Sequence, residues 1–290
     1  MRVSTRLKLY DRVAEDAASI VIRSYSTSFS AASRLLGVDV RQHVENIYAL
    51  VRVADEIVDG GAAEAGLDVA ATARQLDDFE HETEQAMAQG FSSNLIVHAF
   101  ALTAREVSFG AELTAPFFES MRMDLSEKAH DRESFERYVY GSAEVVGLMC
   151  LCAFLHGHDV SADKRAKFER GARALGAAFQ KVNFLRDLAD DFETLGRSYF
   201  PGIDVATFTE EDKVRLLDDL DADLRDAAIG SELPSSSRRA VALAHSLFAQ
   251  LSKRIRATPA GELVRTRVRV PDGVKLRLAA AAAIGVSPRV

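Results

Sequence analysis

Two apolar stretches of the 290-residue sequence carry aspartates four residues apart, a spacing that could hold a cation. In the first stretch, 47–59, the polar residues are spaced four, three and four apart. On a helix they would therefore share one stripe, which contains Tyr48, Arg52, Asp55 and Asp59. By itself such a stripe is most often a solvated face with an Arg–Asp pair. The pattern needs a second observation before it indicates a site.

The second stretch, 179–201, repeats the pattern on a more apolar background. Its stripe contains Gln180, Asn183, Asp187 and Asp191, with Arg186 beside Asp187. Asn and Asp are disfavoured inside helices, and a solvated face would carry Lys and Glu instead. Adjacent carboxylates raise each other's free energy unless cations lie between them. The two stretches together predict carboxylates that converge on a positive charge.

The available ligand atoms limit the kind of cation. Both stripes offer oxygen ligands, and neither contains His or Cys, which favours the hard cation Mg²⁺. Mg²⁺ usually completes its shell with water and substrate phosphates, so a phosphorylated ligand is predicted. Arg52, Arg186 and Arg197 are the candidates to bind its phosphate oxygens.

The elements that must position these residues are predicted to be helices. The chain is 48% hydrophobic with only 17 Gly and 6 Pro, and it lacks the alternation of a strand. Helices are expected over residues 4 to the early twenties, 39–59, 67–88, 93–108, 116–128, 133–156, 161–195, 209–229, 235–257 and 272–285. Residues 60–66 are expected to form a loop. No Pro-, Gly- or Ser-rich linker divides the sequence, so 1–290 is predicted to be a single all-α domain.

Composition also argues against several classes of protein. A net charge of −7 and a pI near 5.6 exclude general nucleic-acid binding. Cys150 and Cys152 indicate no disulfide framework. The first residues are too charged for a signal peptide, and the apolar run at 277–286 is too short to span a bilayer. A cytoplasmic protein is expected, and peripheral membrane contact is compatible with it. A di-iron bundle is excluded because only one ExxH segment, 127–130, is present.

Five pieces of the sequence, in order, resemble the squalene/phytoene synthases, which join two prenyl diphosphates head to head. The pieces are 25–36, 47–59, 138–147, 180–201 and 265–278. The fourth is the most specific, because its pattern QxxNxxRDxxxD followed by GRSYFP is hard to meet by chance. This resemblance implies an isoprenoid-synthase fold, an all-α helical bundle around a central cavity, with the two acidic helices facing each other across its mouth.

The resemblance also implies roles for individual residues. The metal ligands would be Asp55, Asp59, Asn183, Asp187 and Asp191. The residues that contact substrate or its diphosphate would be Ser28, Phe29, Tyr48, Arg52, Gln180, Arg186, Arg197, Tyr199 and Arg267. Arg265 is the alternative to Arg267. Tyr138 is expected to line the cavity, although close helix packing is the alternative for the segment that contains it.

The implied chemistry is ionisation of one prenyl diphosphate, attack by the double bond of the second to give a cyclopropyl diphosphate, and rearrangement to a linear product. Mg²⁺ would be required, with Mn²⁺ as a substitute. Tyr48, Tyr199 or the released diphosphate would take the final proton. The small residues Ser33, Ser142, Ala143, Val146 and Gly147 favour a deep cavity and hence two C20 geranylgeranyl diphosphates, with phytoene as product and no NADPH. Close helix packing is the other explanation for these residues.

Two other functions stay open at this point. One is a squalene or dehydrosqualene synthase that uses two farnesyl diphosphates. The other is a non-catalytic assembly factor of the same fold, which should have lost its metal-binding aspartates. Head-to-tail prenyl elongation fits less well because the sequence has DxxxD where that reaction usually uses DDxxD.

Overall fold

The computed structural model describes residues 5–190, 198–228 and 232–283, all of them with side chains except Ser28, Ala189 and Asp190. The α-helices in these ranges are α1 (Thr5–Tyr25), α2 (Thr27–Ser33), α3 (Val38–Val58), α4 (Gly61–Glu64), α5 (Val69–Gln89), α6 (Leu95–Val107), α7 (Ala111–Ser126), α8 (Arg132–Val139), α9 (Val145–Leu155), α10 (Ala162–Asp190), α11 (Glu210–Asp226), α12 (Ser235–Ala257), α13 (Ala260–Leu263) and α14 (Asp272–Ala283). The predicted all-α class is confirmed.

Most boundaries agree with the apolar periodicity, and the exceptions have local causes. The short helix α2 is an additional element that the periodicity does not predict; the Ser26 side chain caps it by accepting a hydrogen bond from the Phe29 amide at 3.1 Å. Helix α7 begins five residues before the predicted start at Pro116. Proline is tolerated there because the carbonyl deprived of its partner belongs to Glu112, which is exposed to solvent. The predicted loop at 60–66 contains α4, and Gly60 enters it at φ 138°.

The predicted helix 133–156 is interrupted by a π-helical turn at Tyr140–Glu144, between α8 and α9. Close neighbours surround this turn. A Cβ on Gly141 would lie 2.2 Å from the carbonyl oxygen of Pro116, and one on Gly147 would lie 2.5 Å from that of Ala172. These glycines let α7 and α10 approach the π turn and α9 closely, which is the packing role given above as the alternative.

The core has two main parts. Helices α3, α5, α6, α7 and α9 pack around large side chains such as Leu50, Phe100 and Phe117, all fully buried. Helices α10, α11 and α12 pack around Leu185, Leu217 and other apolar residues. Burial of one such side chain contributes about 1.5–3 kcal/mol, so the packing holds α3 and α10 in place.

The continuous stretch Arg132–Leu155 is long and apolar enough to cross a membrane by length and composition, with a mean hydropathy of 1.6. Half of its most apolar segment is buried inside the bundle, where α9 packs against α3, α7 and α10. Burial in the core accounts for its apolar character.

Candidate active site

A cluster of aromatic rings joins the two acidic helices. Phe29 on α2 lies 5.8 Å from the ring of Tyr48 on α3 and 5.0 Å from that of Phe179 on α10. Phe248 on α12 closes the cluster, 4.7 Å from Phe179. Phe29 and Phe179 meet edge to face, and the other two ring pairs are tilted. The substrate-contacting role predicted for Phe29 and Tyr48 therefore falls on an apolar wall between the two helices.

The first aspartate pair occupies the C-terminal end of α3. Asp55 lies in the last turn, and Asp59 caps the helix with its backbone N–H donating to the Asp55 carbonyl at 2.8 Å. Burial raises the pKa of Asp55 well above its ordinary value, and the negative charges of Asp59 and Asp124 raise it further, against a lowering effect of Arg52. The helix dipole is negative at this end as well. The ionised form of Asp55 is therefore disfavoured in the folded protein, and a bound cation would stabilise it.

Arg52 does not pair with either of these aspartates. Its guanidinium forms an ion pair with Glu56 and lies over the ring of Tyr25, 4.5 Å from the centroid. Its Nε is buried and has no hydrogen-bond partner among the described residues. The Arg–Asp pair considered from the sequence is replaced by Arg52–Glu56. A guanidinium with an unused donor and a partly exposed side chain can still bind a new anionic ligand.

The second acidic helix presents a different environment. Asp187 on α10 accepts hydrogen bonds from Arg186 Nε at 2.9 Å and from Arg267 Nη2 at 3.2 Å, and Arg267 Nε lies 2.7 Å from its Oδ1. Both arginines considered in the basic tail are exposed, and Arg267 is the one that pairs with Asp187. Gln180 and Asn183 lie on the same helix and are partly buried.

Three predicted site residues fall outside this description. Asp191 and Arg197 lie outside the described residues, as does the side chain of Ser28. Over the described ranges, no group of three or more Asp, Glu, His or Cys side chains has the geometry to hold a metal ion. The donor atoms that are described, carboxylate oxygens at a negative helix end, suit Mg²⁺, which stays a prediction.

A buried carboxylate that the sequence analysis missed lies beside the first pair. Asp124 on α7 is 9% exposed and accepts the hydroxyl of Tyr138 at 3.0 and 2.9 Å and that of Tyr199 at 3.3 Å. The ring of Tyr199 stacks on Phe184 of α10 at 4.0 Å. Helical spacing could have indicated that Asp124 is buried, because it lies three residues after Met121, on the inner face of its helix.

Tyr138 is expected to line the cavity, and the structure places it at the junction of the two acidic helices. It is 3% exposed, and its ring lies 5.9 Å from that of Phe184 on α10. Burial, followed by the charge of Asp124, raises the pKa of Tyr138 well above its ordinary value, so its hydroxyl stays protonated and donates.

Residues 22–273 match the family described as squalene/phytoene synthase. The chain belongs to that family. Its similarity to phytoene synthase 3, chloroplastic, of Zea mays is 30% identity over 236 residues, which cover 79% of this chain but only half of the maize protein. A 15-cis-phytoene synthase of a Paracoccus species is 28% identical over 273 residues, 87% of this chain and 85% of that protein.

Solved structures of squalene/phytoene synthases have the same fold. A dehydrosqualene synthase in complex with ligand superposes with a TM-score of 0.75 at 19% identity, covering 94% of this chain and 96% of that one. The squalene synthase of Alicyclobacillus acidocaldarius gives a TM-score of 0.72 at 21% identity, covering 86% and 95%. The predicted isoprenoid-synthase bundle is confirmed.

Proposed function

We propose that this prenyltransferase-family protein is a phytoene synthase. It would join two geranylgeranyl diphosphates head to head, through a cyclopropyl (prephytoene) diphosphate, to 15-cis-phytoene for carotenoid biosynthesis. The observation that carries the proposal is the pair of acidic helices: on one, buried Asp55 lies beside Asp59, and on the other, Asp187 pairs with two arginines. Family membership supports the reaction class, and the names of the curated relatives support the C20 substrate.

Magnesium fits the donor set of the site. Asp55, Asp59 and Asp187 would hold it, together with Asn183 and Asp191, and Mn²⁺ would substitute. When bound, Mg²⁺ would neutralise charge on the diphosphate oxygens and assist departure of the leaving group. No NADPH is expected for phytoene formation.

The arginines would bind and orient the diphosphates. Arg186 and Arg267 each donate to Asp187. A guanidinium has five N–H groups, so Asp187 does not use all of their donors, and the others would bind phosphate oxygens. Arg52 adds its unused Nε. The wall formed by Phe29, Phe179 and Phe248 would exclude water from the allylic cations.

The final proton is proposed to go to the released diphosphate. Burial raises the pKa of Tyr48, so the phenol stays neutral and is a weak base. Tyr199 directs its hydroxyl proton at Asp124 and is equally unsuited to accept another. Diphosphate, by contrast, is an anion released next to the cation it leaves behind.

The structure does not support the cavity-depth argument for a C20 substrate, because Ser33 and Ala143 lie in packing contacts. Ser33 is buried and donates to the Ser30 carbonyl at 3.1 Å and to Glu45 at 3.4 Å. A Cβ on Gly176 would meet the Ala143 carbonyl at 2.5 Å, so Ala143 lies at a helix contact. A Ser33→Phe variant would disrupt the Glu45 hydrogen bond as well as change any cavity. The proposal for C20 therefore rests on the relatives.

A product assay tests the proposal against its rivals. Purified protein would be incubated with Mg²⁺ and either geranylgeranyl or farnesyl diphosphate, with and without NADPH, and the hydrocarbons separated by chromatography. Phytoene from the C20 substrate without NADPH is expected. Squalene or dehydrosqualene from farnesyl diphosphate would replace the C20 assignment, and no hydrocarbon from either would favour the assembly factor.

Peripheral membrane contact is proposed to involve the outer face of α1. Leu9, Val13 and Ile20 are exposed on one side of this helix, 44–57% accessible, with Asp16 between the last two and Arg12 and Arg23 beside them. Two such faces packed together would oppose their arginines, whereas an anionic bilayer would attract them. Co-sedimentation is expected with phosphatidylglycerol vesicles but not with phosphatidylcholine vesicles.

Substitutions on α1 test this contact separately from catalysis. The double variant Leu9→Gln, Ile20→Gln should lose most vesicle binding. Val38→Gln changes a more exposed apolar residue elsewhere, 78% accessible, and is the matched control. Equal binding of the wild type and the double variant would show that α1 is not the contact.

A further inference from the structure

We propose that Asp124 is a positioning residue that fixes the hydroxyl groups of Tyr138 and Tyr199 at the junction of the two acidic helices. The inference rests on the proposed function and adds a third carboxylate, outside both DxxxD stripes, to the residues on which the reaction depends. Its role would be exerted through the two tyrosines rather than by contact with substrate or metal.

The geometry connects Asp124 to both halves of the site. Its two oxygens accept from Tyr138, 14 residues later on α8, at 3.0 and 2.9 Å. One of them also accepts from Tyr199, 75 residues later, at 3.3 Å. Asp124 is close enough to Asp55 on α3 for their charges to interact, and Tyr199 stacks on Phe184 of α10. The Asp124 side chain thus connects α7, α8 and the segment that contains Tyr199, which meet between the acidic helices.

The direction of the hydroxyl protons has a chemical consequence. Because each phenol donates to Asp124, its proton is turned toward the carboxylate and its oxygen becomes richer in electrons. Each tyrosine can then present its oxygen lone pairs and its ring face to a carbocation, and both attract positive charge. A freely rotating hydroxyl could instead turn its proton toward the carbocation, which would repel it. Its oxygen could also attack the carbocation as a nucleophile. A fixed carboxylate acceptor prevents both.

The electrostatic cost of this arrangement indicates that it has a use. The negative charge of Asp124 raises the pKa of Asp55, so the two carboxylates repel each other. An amide or a hydroxyl at this position could bond the same tyrosines without that repulsion. A carboxylate differs from both because it carries a full negative charge, and the reaction would depend on that charge.

Steady-state kinetics of Asp124→Asn test the proposal. The amide preserves shape but removes the charge, so kcat is expected to fall on the order of 10- to 100-fold, the loss typical of a preorganised electrostatic contact. KM for the prenyl diphosphate should change by less than about threefold, because the arginines that bind it are untouched. The Mg²⁺ concentration for half-maximal rate should equal that of the wild type.

Asp223→Asn is the matched control. Asp223 is a partly buried aspartate on α11 that pairs with Lys181 at 2.7 Å, and Lys181 keeps Asp219 as a second partner. This variant should retain wild-type kcat. A tenfold rise in the Mg²⁺ requirement of Asp124→Asn would make Asp124 a metal ligand and overturn the positioning role. A wild-type kcat in Asp124→Asn would overturn it as well.

A spectroscopic measurement tests the hydrogen bonds between Asp124 and the two tyrosines without a catalytic assay. The chain has 6 Tyr and no Trp, so near-ultraviolet absorbance reports on tyrosines directly. A phenol that donates to a carboxylate absorbs at longer wavelength than one that donates to an amide. The difference spectrum of Asp124→Asn against the wild type should show a blue shift, whereas Asp223→Asn should show none. If the wild type forms no hydrocarbon, the proposed function fails while this spectrum still tests the Asp124 contacts.

A double-mutant cycle covers the case in which Asp124→Asn does not fold. Tyr138→Phe and Tyr199→Phe each remove one oxygen, and circular dichroism would verify that they fold. Each is expected to lower kcat, and adding Asp124→Asn to the Tyr138→Phe variant should cost less than it does alone, because the two act through one contact. Tyr10→Phe removes a hydroxyl bonded to the Ser92 carbonyl, a contact that involves none of the proposed site residues, and should be neutral. Near wild-type kcat in the Tyr138→Phe, Tyr199→Phe double variant would overturn the proposal.

Discussion

The two acidic helices share one spacing of aspartates but not one electrostatic environment. On α3, Asp55 and Asp59 lie at the negative end of the helix beside Asp124, and within the described residues Asp55 forms no ion pair. On α10, Asp187 is already neutralised by Arg186 and Arg267. The same DxxxD spacing therefore occurs in two different environments: a buried carboxylate with other negative charges near it on α3, and a carboxylate that pairs with two arginines on α10.

The largest expected effect is on turnover. Asp55→Asn and Asp187→Asn, as well as Asp59→Asn and Asp191→Asn, should each lower kcat by roughly 10³-fold or more at saturating Mg²⁺, a loss comparable to that of other transition-state contacts. Chelation should abolish activity, and added Mg²⁺ should restore it. The measurement is the rate of hydrocarbon formation. Near-normal turnover in any two of the four variants would contradict the metal assignment for both helices.

The second prediction separates the two arginines of the basic tail. Arg267→Ala removes the contact with Asp187 and a predicted diphosphate ligand, so KM for the prenyl diphosphate should rise by about tenfold or more. Arg265→Ala is the matched control, since Arg265 is exposed as Arg267 is, lies two residues away and forms no ion pair with Asp187; its KM should change less than about twofold. Equal effects would mean that the tail acts through its net charge.

The third prediction concerns the arginine on α3. Arg52→Lys keeps the charge but loses the planar guanidinium, so activity should fall by about tenfold, as measured by kcat/KM. Glu56→Gln removes only the ion-pair partner and should have a smaller effect. If lysine at position 52 supports full activity, Arg52 serves only to pair with Glu56 and cover Tyr25.

The smallest effect is on stability without metal, and here the structure changes an expectation. From the sequence, none of the four Asp→Asn changes should lower thermal stability, because each relieves repulsion. In chelator, Asp55→Asn should indeed raise Tm, but Asp187→Asn should lower it by about 1–3 °C because it removes the negative charge that pairs with Arg186 and Arg267. Calorimetry of the two variants checks this. Shifts of the same sign would remove the difference between the helices.

The pH dependence of Tm tests the environment of Asp55 directly. The pKa of Asp55 is raised in the folded protein, so its ionised form is destabilised there, and the penalty is complete above the raised pKa. As pH falls through the raised pKa toward the ordinary carboxyl value of 3.8, the penalty disappears. The Tm advantage of Asp55→Asn over the wild type should therefore be largest near pH 8 and shrink on acidification. An advantage that grows on acidification would contradict the assigned direction.

The helices, and the residues that share a stripe on each of them, follow from the local sequence. They depend on contacts three and four residues apart, so the grouping of Tyr48, Arg52, Asp55 and Asp59 can be read from periodicity alone. The π turn after α8 lies beyond this reasoning, because it depends on Pro116 and Ala172 from other helices pressing against glycines.

Which charges meet depends instead on how whole helices pack. Arg267 pairs with Asp187, 80 residues away, and Asp124 accepts a hydrogen bond from Tyr199, 75 residues away. Periodicity carries no information about such pairings, because it describes one helix at a time. The same limit applies to Ser33 and Ala143, whose small size suggests a deep cavity when only the sequence is considered. Small residues look alike in sequence whether they border a space or a neighbouring helix, and only tertiary packing distinguishes the two.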